Sequence, residues 1–119
     1  MRVLIADDID QVRMDLRLVL ELTGVIEVVG EAADGRQAVE QAARLRPQVV
    51  LMDLEMPGLD GFAAARQLRA NHRACRVIAL TVHADPDSRR SALAAGMCGF
   101  VVKGAGMKAL LDVIHQREE

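Results

Sequence analysis

The sequence contains very few aromatic residues. Its 119 residues include two phenylalanines, Phe62 and Phe100, and neither tryptophan nor tyrosine. Proteins that bind flavins or single-stranded nucleic acids use aromatic side chains as stacking surfaces for planar rings. The composition therefore argues against both kinds of ligand.

The chain also lacks a basic cluster and a long apolar run. Its formal net charge is −2, and we do not expect it to bind nucleic acid directly, because such binding needs clustered positive charge. No apolar stretch approaches the roughly 20 residues that span a membrane. The N-terminus passes directly into a strand-like run without a signal peptide, so we predict a cytoplasmic protein with no membrane contact.

Cysteine is scarce as well. Cys75 and Cys98 form neither a C-x-x-C pair nor a pattern of metal ligands. We interpret them as free thiols of a protein in a reducing compartment.

Short apolar runs alternate with segments of helical periodicity along the whole chain. The length fits one domain that covers residues 1–119. Strands are predicted over residues 2–7, 25–31, 48–53, 76–81 and 99–103. Helices are predicted over residues 10–23, 34–45, 60–71 and 85–96, with a last helix whose apolar stripe is Met107, Leu110, Leu111 and Ile114. We expect Asp10, Asp34, Asp60 and Asp85 to cap the first four helices.

This alternation of five strands with five helices predicts an α/β fold. The crossovers should be right-handed, with helices on both faces of a parallel sheet. The run from Val49 to Met52 shows no polar alternation, which is typical of a central strand buried on both faces. We predict a flavodoxin-like, doubly wound sheet. We predict the strand order 2-1-3-4-5, which is one common solution for such sheets, although the pattern alone does not fix it.

Polar residues follow the predicted strands where ligands collect in doubly wound sheets, at the carboxyl ends. Asp7 and Asp8 end the first strand, and Asp53 ends the third. If these strands are neighbours, three carboxylates share one pocket, where each raises the pKa of the others unless a cation intervenes. Mg²⁺ suits such a set of oxygen ligands. Lys103, at the end of the fifth strand, adds a monovalent positive charge.

Such a pocket has the groups that phosphoryl transfer to a carboxylate requires. The carboxylate is the nucleophile and forms an aspartyl phosphate. A metal ion neutralises the developing charge. An ammonium and a hydroxyl, here those of Lys103 and Thr81, bind the remaining phosphoryl oxygens as donors.

The motifs resemble the signature of response-regulator receiver domains. The matching pieces are the Asp7-Asp8 pair, the segment from Asp53 to Gly61, Thr81, and the run from Phe100 to Lys103. Each piece alone is weak, but the four together, in order at strand ends, are a strong signal, and the match extends over essentially the whole chain. The residues around Thr81 and the stretch 99–104 are most similar to the NarL/LuxR-type transcriptional regulators.

The resemblance implies a role for each matched acid. Asp53 is the phosphoacceptor. Asp8 and Asp53 bind Mg²⁺ directly, together with the backbone carbonyl of Glu55, and Asp7 binds it through water.

The resemblance also implies roles around the phosphoryl group. Thr81 and Lys103 contact it, and Phe100 is the aromatic switch residue that reorients when the Thr81 hydroxyl moves. Glu55 and His83 occupy two variable positions that tune the lifetime of the phosphate. One departure is Lys103-Gly104, where many members have Lys-Pro. A second is Gly106, which can cap the last helix only without a side-chain hydrogen bond.

The implied partner is a sensor histidine kinase, and the phosphorylated domain is expected to form homodimers or to release an output module. NarL/LuxR-type regulators continue into a helix-turn-helix domain that binds DNA and is absent from these 119 residues. A stand-alone receiver that acts through protein contacts is the alternative.

Other interpretations of the same residues remain open. Asp7-Asp8 alone is typical of a solvated turn, Phe100 of a core residue, and His83 of an exposed loop. An aspartate-nucleophile phosphatase of the haloacid-dehalogenase type should have an acid-base aspartate where this chain has Glu55. A flavodoxin-like cofactor binder should have a phosphate-binding loop where this chain has acids.

Overall fold

The computed structural model describes residues 1–56, 58, 60–82 and 85–116. Within these residues, strands and helices alternate as predicted. The strands are β1 (Arg2–Ala6), β2 (Glu27–Ala32), β3 (Val49–Asp53), β4 (Arg76–Thr81) and β5 (Gly99–Val102). The helices are α1 (Asp10–Glu21), α2 (Gly35–Leu45), α3 (Gly61–Asn71), α4 (Pro86–Ala94) and α5 (Met107–His115).

The strands form one parallel sheet in the order β2-β1-β3-β4-β5. This confirms the predicted flavodoxin-like architecture and the predicted strand order 2-1-3-4-5. Every residue of β3 is buried, as its unbroken apolar run predicted. The neighbours β1 and β3 pair Ala6 with Met52, so the residues that follow this pair, Asp7 and Asp53, lie side by side.

Two apolar layers cover the opposite faces of the sheet, because successive side chains of a strand point to opposite sides. Leu4 belongs to the layer under α2, α3 and α4, and Ile5 to the layer under α1 and α5. Helix α5 buries Leu110 and Ile114, whereas Met107 at its first turn is 46% exposed. The predicted apolar stripe of this helix is therefore shorter by one residue at its start. In the described residues, no helix is both long and apolar enough to cross a membrane.

Three of the four predicted aspartate caps are confirmed. Asp34, Asp60 and Asp85 each accept a hydrogen bond from the backbone amide three residues further on. These bonds satisfy amides that have no partner inside the helix.

Asp10 is not a cap, and that prediction was wrong. The N-cap of α1 is Ile9, which makes no side-chain capping bond, and Asp10 is the first helical residue. The turn into the helix is already formed by Asp7, whose Oδ1 accepts the amide of Ile9 at 2.9 Å. Asp10 instead pairs with Arg13 on the next turn.

Two element bounds also need correction. Strand β2 begins at Glu27 rather than at Val25, because β1 begins at Arg2, whose partner in the ladder is Glu27. Val25 lies before this ladder, and its carbonyl accepts the N-terminal ammonium of Met1 at 2.8 Å. Helix α1 ends at Glu21 rather than at residue 23, where the Thr23 hydroxyl donates to the carbonyl of Leu20 at 2.7 Å. The other bounds differ from the predictions by at most two residues.

Candidate functional site

The carboxyl ends of β1 and β3 bring three carboxylates together. One oxygen from each of Asp7, Asp8 and Asp53 lies within 4.8 Å of the others. Asp7 and Asp53 are buried, and Asp8 is exposed at the rim. The structure thus forms the acidic cluster that the strand-end pattern predicted.

The two buried carboxylates are held in the same way. Oδ1 of Asp7 accepts the amide of Ile9 at 2.9 Å, and Oδ1 of Asp53 accepts the amide of Glu55 at 3.0 Å. Their Oδ2 atoms share one ammonium, with Lys103 Nζ lying 2.7 Å from Asp7 and 3.2 Å from Asp53. Lys103 is therefore closer to the predicted metal ligand Asp7 than to the predicted phosphoacceptor.

Burial and neighbouring charges act against each other at this pair. Desolvation is the main cause that raises the pKa of Asp53, and the negative charge of Asp7 adds to it, while the Glu55 amide and Lys103 act in the opposite direction. Burial alone would lower the pKa of Lys103, but the carboxylates of Asp7 and Asp53 outweigh it and raise that pKa. Lys103 thus stays charged, but its positive charge does not fully offset the effect of burial and of Asp7 on the Asp53 carboxylate.

The cluster has the chemistry of a site for a hard divalent cation. Its ligand atoms are carboxylate oxygens, which Mg²⁺ and Ca²⁺ prefer over nitrogen or sulfur. One monovalent Lys103 cannot balance three carboxylates, and a divalent ion at Asp8 would supply the missing positive charge. The residues present therefore fit the predicted Mg²⁺.

Thr81 and Lys103 lie at the ends of neighbouring strands. Thr81 is 2% exposed, and its backbone carbonyl accepts the amide of Lys103 at 2.7 Å. Parallel pairing of β4 with β5 places both residues on the edge of the sheet that carries the acids. The predicted hydroxyl and ammonium donors are thus brought to the same end of the fold.

Phe100 is half-buried on β5, beside Ala79 of β4. Its ring packs against the apolar layer under α4, and the guanidinium of Arg89 lies over it, 4.7 Å from the ring centroid. Phe100 is thus a core residue in part, while one side of its ring meets a cation. Of the two predicted tuning positions, Glu55 is exposed at the rim, and His83 lies outside the described residues.

The loop between Lys103 and α5 depends on glycine. Gly104 has φ +88° and Gly106 has φ +100°, a region in which other residues are strained. Gly106 is the N-cap of α5 and makes no side-chain capping bond, as predicted. Among the described residues no peptide bond is cis.

The family model described as the response regulator receiver domain matches residues 3–115. The chain belongs to the response regulator receiver family. Receiver domains are signalling domains of two-component systems and not enzymes. The alternative of an aspartate-nucleophile phosphatase is therefore excluded. The flavodoxin-like cofactor binder falls for the same reason.

This receiver is similar to transcriptional regulators. It is 38% identical over 115 residues to the response regulator GacA of Pseudomonas viridiflava, and the aligned region covers 96% of this chain and 53% of the relative. It is 39% identical over 114 residues to the transcriptional regulatory protein LiaR of Bacillus subtilis, with 96% and 54% covered. The receiver spans about half the length of the curated relatives it matches.

A solved receiver domain has closely similar coordinates. The signal receiver domain of a response regulator named NarL from Mycobacterium tuberculosis superposes with a TM-score of 0.90 at 34% identity, over 95% of this chain and 91% of that one. These similarities confirm the predicted resemblance to NarL/LuxR-type receivers.

Two residues that support the receiver site were given no role by the sequence. Gly61 lies so close to β3 that a β-carbon on it would be 2.5 Å from the backbone oxygen of Asp53. Arg13 donates from one guanidinium nitrogen to the backbone carbonyl of Asp7 at 2.5 Å. The Asp60-Gly61 pair stood in the matched motif, whereas the signal for Arg13 was only its helical spacing from Asp10.

Proposed function

We propose that this receiver accepts a phosphoryl group on Asp53, with Mg²⁺ bound beside it, and that the modified domain switches conformation to control an output. The observation that carries the proposal is the setting of Asp53. Its carboxylate is buried, lies 3.2 Å from Lys103 Nζ, and shares an acidic cluster with Asp7 and Asp8.

The transfer forms one bond and breaks one. A carboxylate oxygen of Asp53 attacks the phosphorus of the donor, and the bond from phosphorus to the leaving group breaks, with the leaving group retaining the electron pair. Lys103 and the Thr81 hydroxyl donate to the phosphoryl oxygens, whose negative charge strengthens both hydrogen bonds. The positive charge of Lys103 also favours the ionised, nucleophilic form of Asp53.

Asp8 and Asp53 are the direct Mg²⁺ ligands in this proposal, with the backbone carbonyl of Glu55, and Asp7 acts through water. When bound, the ion supplies positive charge and orients the reacting oxygens. Asp7 keeps Lys103 in place, since the two make the shortest ion pair of the cluster at 2.7 Å.

The switch follows from the new charge. A phosphoryl group adds about two negative charges at neutral pH, which draw the Thr81 hydroxyl and the Lys103 ammonium toward them. Phe100 then moves into the space that Thr81 leaves, and its contact with Arg89 is lost. Glu55, and His83 outside the described residues, tune how long the phosphate lasts.

The donor is a sensor histidine kinase, the receiver acts in the cytoplasm, and the phosphorylated receiver forms a homodimer. The output is a helix-turn-helix module that binds DNA in the whole protein. The name of LiaR, a transcriptional regulatory protein, supports an output that controls transcription, and the module itself is what the resemblance to NarL/LuxR-type regulators implies. A stand-alone receiver that acts by protein contact is the second candidate, and residues 1–119 form the receiver domain in both cases.

Intact-mass measurement after incubation with acetyl phosphate and Mg²⁺ tests the phosphoacceptor. The wild type should gain the mass of one phosphoryl group, and Asp53→Asn should gain none. Asp112→Asn, which removes an exposed carboxylate on α5, is the matched control and should be phosphorylated like the wild type. An unmodified wild type that is folded and binds Mg²⁺ would refute the proposal.

The switch needs a separate test. Fluorine or methyl NMR probes at Phe100 and Thr81 should move together on addition of beryllofluoride and Mg²⁺. If both signals stay in place while beryllofluoride binds at Asp53, the coupled switch is absent from this protein.

A further inference from the structure

We propose that Arg13 is a positioning residue for the acidic cluster. It fixes the peptide that joins Asp7 to Asp8, and it thereby sets where the exposed Asp8 carboxylate lies relative to Asp53. The inference rests on the proposed function in one respect, since it takes Asp8 to be a ligand of the divalent ion.

One contact of Arg13 reaches this peptide from α1, and two others hold its guanidinium in place. One terminal guanidinium nitrogen donates to the backbone carbonyl of Asp7 at 2.5 Å, and Nε lies 3.2 Å from Oε1 of Glu31. The other terminal nitrogen pairs with Asp10. The Arg13 side chain is 13% exposed, so these are contacts of a shielded group and not of a solvated one.

Holding that carbonyl constrains Asp8 directly. A peptide unit is planar, so the oxygen of residue 7 and the Cα of residue 8 belong to one rigid plane. Asp7 itself is fixed by Ile9 and Lys103, but Asp8 is exposed and depends on its backbone for its position. A tilt of this plane therefore moves the Asp8 carboxylate away from Asp53.

Arg13 is in turn held by two elements. Glu31 near the end of β2 accepts from Arg13 through one oxygen and from Arg17 through the other. Asp10 belongs to the first turn of α1. The guanidinium thus links β1, β2 and α1 at the edge of the sheet where the cluster lies, which gives it a defined orientation before any ion binds.

The positive charge of Arg13 and its hydrogen bond to Asp7 have opposite effects on Mg²⁺ binding. An electrostatic role and a positioning role can therefore be told apart by experiment. A cation next to an acidic cluster repels Mg²⁺, so a purely electrostatic Arg13 would weaken binding, and its removal would tighten it. Glu31 and Asp10 compensate this charge. The hydrogen bond to Asp7 should therefore dominate, and its removal should weaken binding.

Arg17 is a matched control one turn further along α1. Its Nε lies 2.8 Å from Oε2 of Glu31, and it donates to the backbone carbonyl of Val28 at 3.2 Å. Arg17→Gln therefore removes the same charge and a contact with the same carboxylate, but it leaves the Asp7 carbonyl bonded to Arg13.

Calorimetric titration with Mg²⁺ alone tests the inference on the wild type, Arg13→Gln, Arg13→Lys and Arg17→Gln. Arg13→Gln should weaken Mg²⁺ binding by about tenfold, the lower end of what loss of an outer-shell partner costs. Arg13→Lys retains one donor and should fall between Arg13→Gln and the wild type. Arg17→Gln should bind like the wild type. In the metal-free protein, the Asp8 amide resonance should shift in Arg13→Gln and not in Arg17→Gln.

Several outcomes would overturn the inference. It fails if Arg13→Gln binds Mg²⁺ as well as the wild type or more tightly, or if Arg17→Gln weakens binding as much. If Arg13→Gln does not fold, Arg13→Lys decides, and wild-type affinity in a lysine variant with an unmoved Asp8 amide would contradict the positioning role. A wild type that binds no Mg²⁺ would instead overturn the proposed metal site, and the inference with it.

Discussion

At the scale of single residues, Asp53 shows how the site and the stability of the fold oppose each other. Burial and the neighbouring Asp7 charge raise the pKa of Asp53 in the folded protein. As pH rises, the unfolded chain therefore releases this proton before the folded protein does. The free energy of unfolding falls through that interval, because the folded state binds more protons there.

Asp53→Asn removes this pH-dependent loss. Its free energy of unfolding should exceed that of the wild type at neutral pH, and the difference should shrink as pH falls toward the ordinary carboxyl pKa of about 4. Urea denaturation at a series of pH values measures it. Asp112→Asn, on an exposed carboxylate, should show a much flatter difference. If Asp53→Asn is less stable than the wild type at neutral pH, burial of the charged carboxylate does not destabilise the fold.

Gly61 is a second residue whose size matters for the site. A β-carbon there would lie 2.5 Å from the Asp53 carbonyl oxygen and 3.0 Å from the Cα of Leu54, and neither backbone atom can move without shifting β3. Gly61→Ala should lower the free energy of unfolding by about 1–3 kcal/mol, as overpacking does. Acetyl phosphate should then phosphorylate it more slowly.

Gly30→Ala supplies the matched control for that substitution. Its added β-carbon would meet the ends of the Gln41 and Leu45 side chains at 2.5 and 2.8 Å, which can rotate away. Its stability should stay within about 1 kcal/mol of the wild type, because alanine also restricts the unfolded chain. Equal losses in both variants would mean that contact with the β3 backbone is not the cause.

The residues that sequence could and could not identify differ in a physical way. Asp7, Asp53 and Lys103 are polar residues that end apolar strands, and parallel strands place such ends together. Arg13 acts on the Asp7 carbonyl and is held in place by Glu31, which is 18 positions away, and Gly61 acts through an approach of α3 to β3. Both roles depend on distances between elements, which no local pattern contains.

At the scale of elements, two arginines at strand starts hold helix C-termini. Arg76 of β4 donates to the carbonyls of Ile114 and Val113 at 2.6 and 2.9 Å, in the last turn of α5. Arg2 of β1 donates to the carbonyl of Arg46 at 3.0 Å, at the end of α2. The last carbonyls of a helix have no amide four residues further on within the helix, although that of Val113 also accepts the amide of Gln116 at 3.3 Å. A cation at this end also interacts favourably with the helix dipole.

Arg76→Ala should therefore weaken α5 specifically. Two hydrogen bonds from a charged donor are lost, and the free energy of unfolding should fall by about 1–3 kcal/mol. Hydrogen exchange should show faster opening of the last turn of α5 than of α2. Arg36→Ala removes an arginine that is 83% exposed and pairs with Glu40 at the surface. This control should change neither the free energy of unfolding nor the exchange of α5 by much. Unchanged exchange in α5 would refute the capping role.

Local sequence patterns predicted most of the helices and strands. They failed where a neighbouring residue or strand determined how an element begins. Asp34, Asp60 and Asp85 are caps as predicted. An aspartate just before a helix accepts a hydrogen bond from an amide of the first turn, and this bond needs no other element. Asp10 failed because Asp7 already closes that turn. The start of β2 failed because a strand extends only as far as its partner β1.

At the scale of the whole molecule, the acidic cluster links metal binding to stability. The chain has a formal net charge of −2, yet three carboxylates lie within 4.8 Å at one edge of the sheet. Folding brings these like charges together, and the unfolded chain separates them. An ion that binds the folded cluster alone therefore stabilises the fold by mass action.

Mg²⁺ should raise the melting temperature of the wild type, by an amount that depends on the Mg²⁺ concentration relative to its dissociation constant. At a concentration of about ten times the dissociation constant the gain is about 1.4 kcal/mol, which corresponds to several degrees for a domain of this size. Differential scanning calorimetry with and without Mg²⁺ measures the gain. Asp8→Asn should abolish most of it, because the exposed ligand is lost while the buried Asp7–Lys103 pair remains. Asp112→Asn should retain it in full. A melting temperature that rises equally in all three proteins would mean that Mg²⁺ acts on general surface charge and not at the cluster.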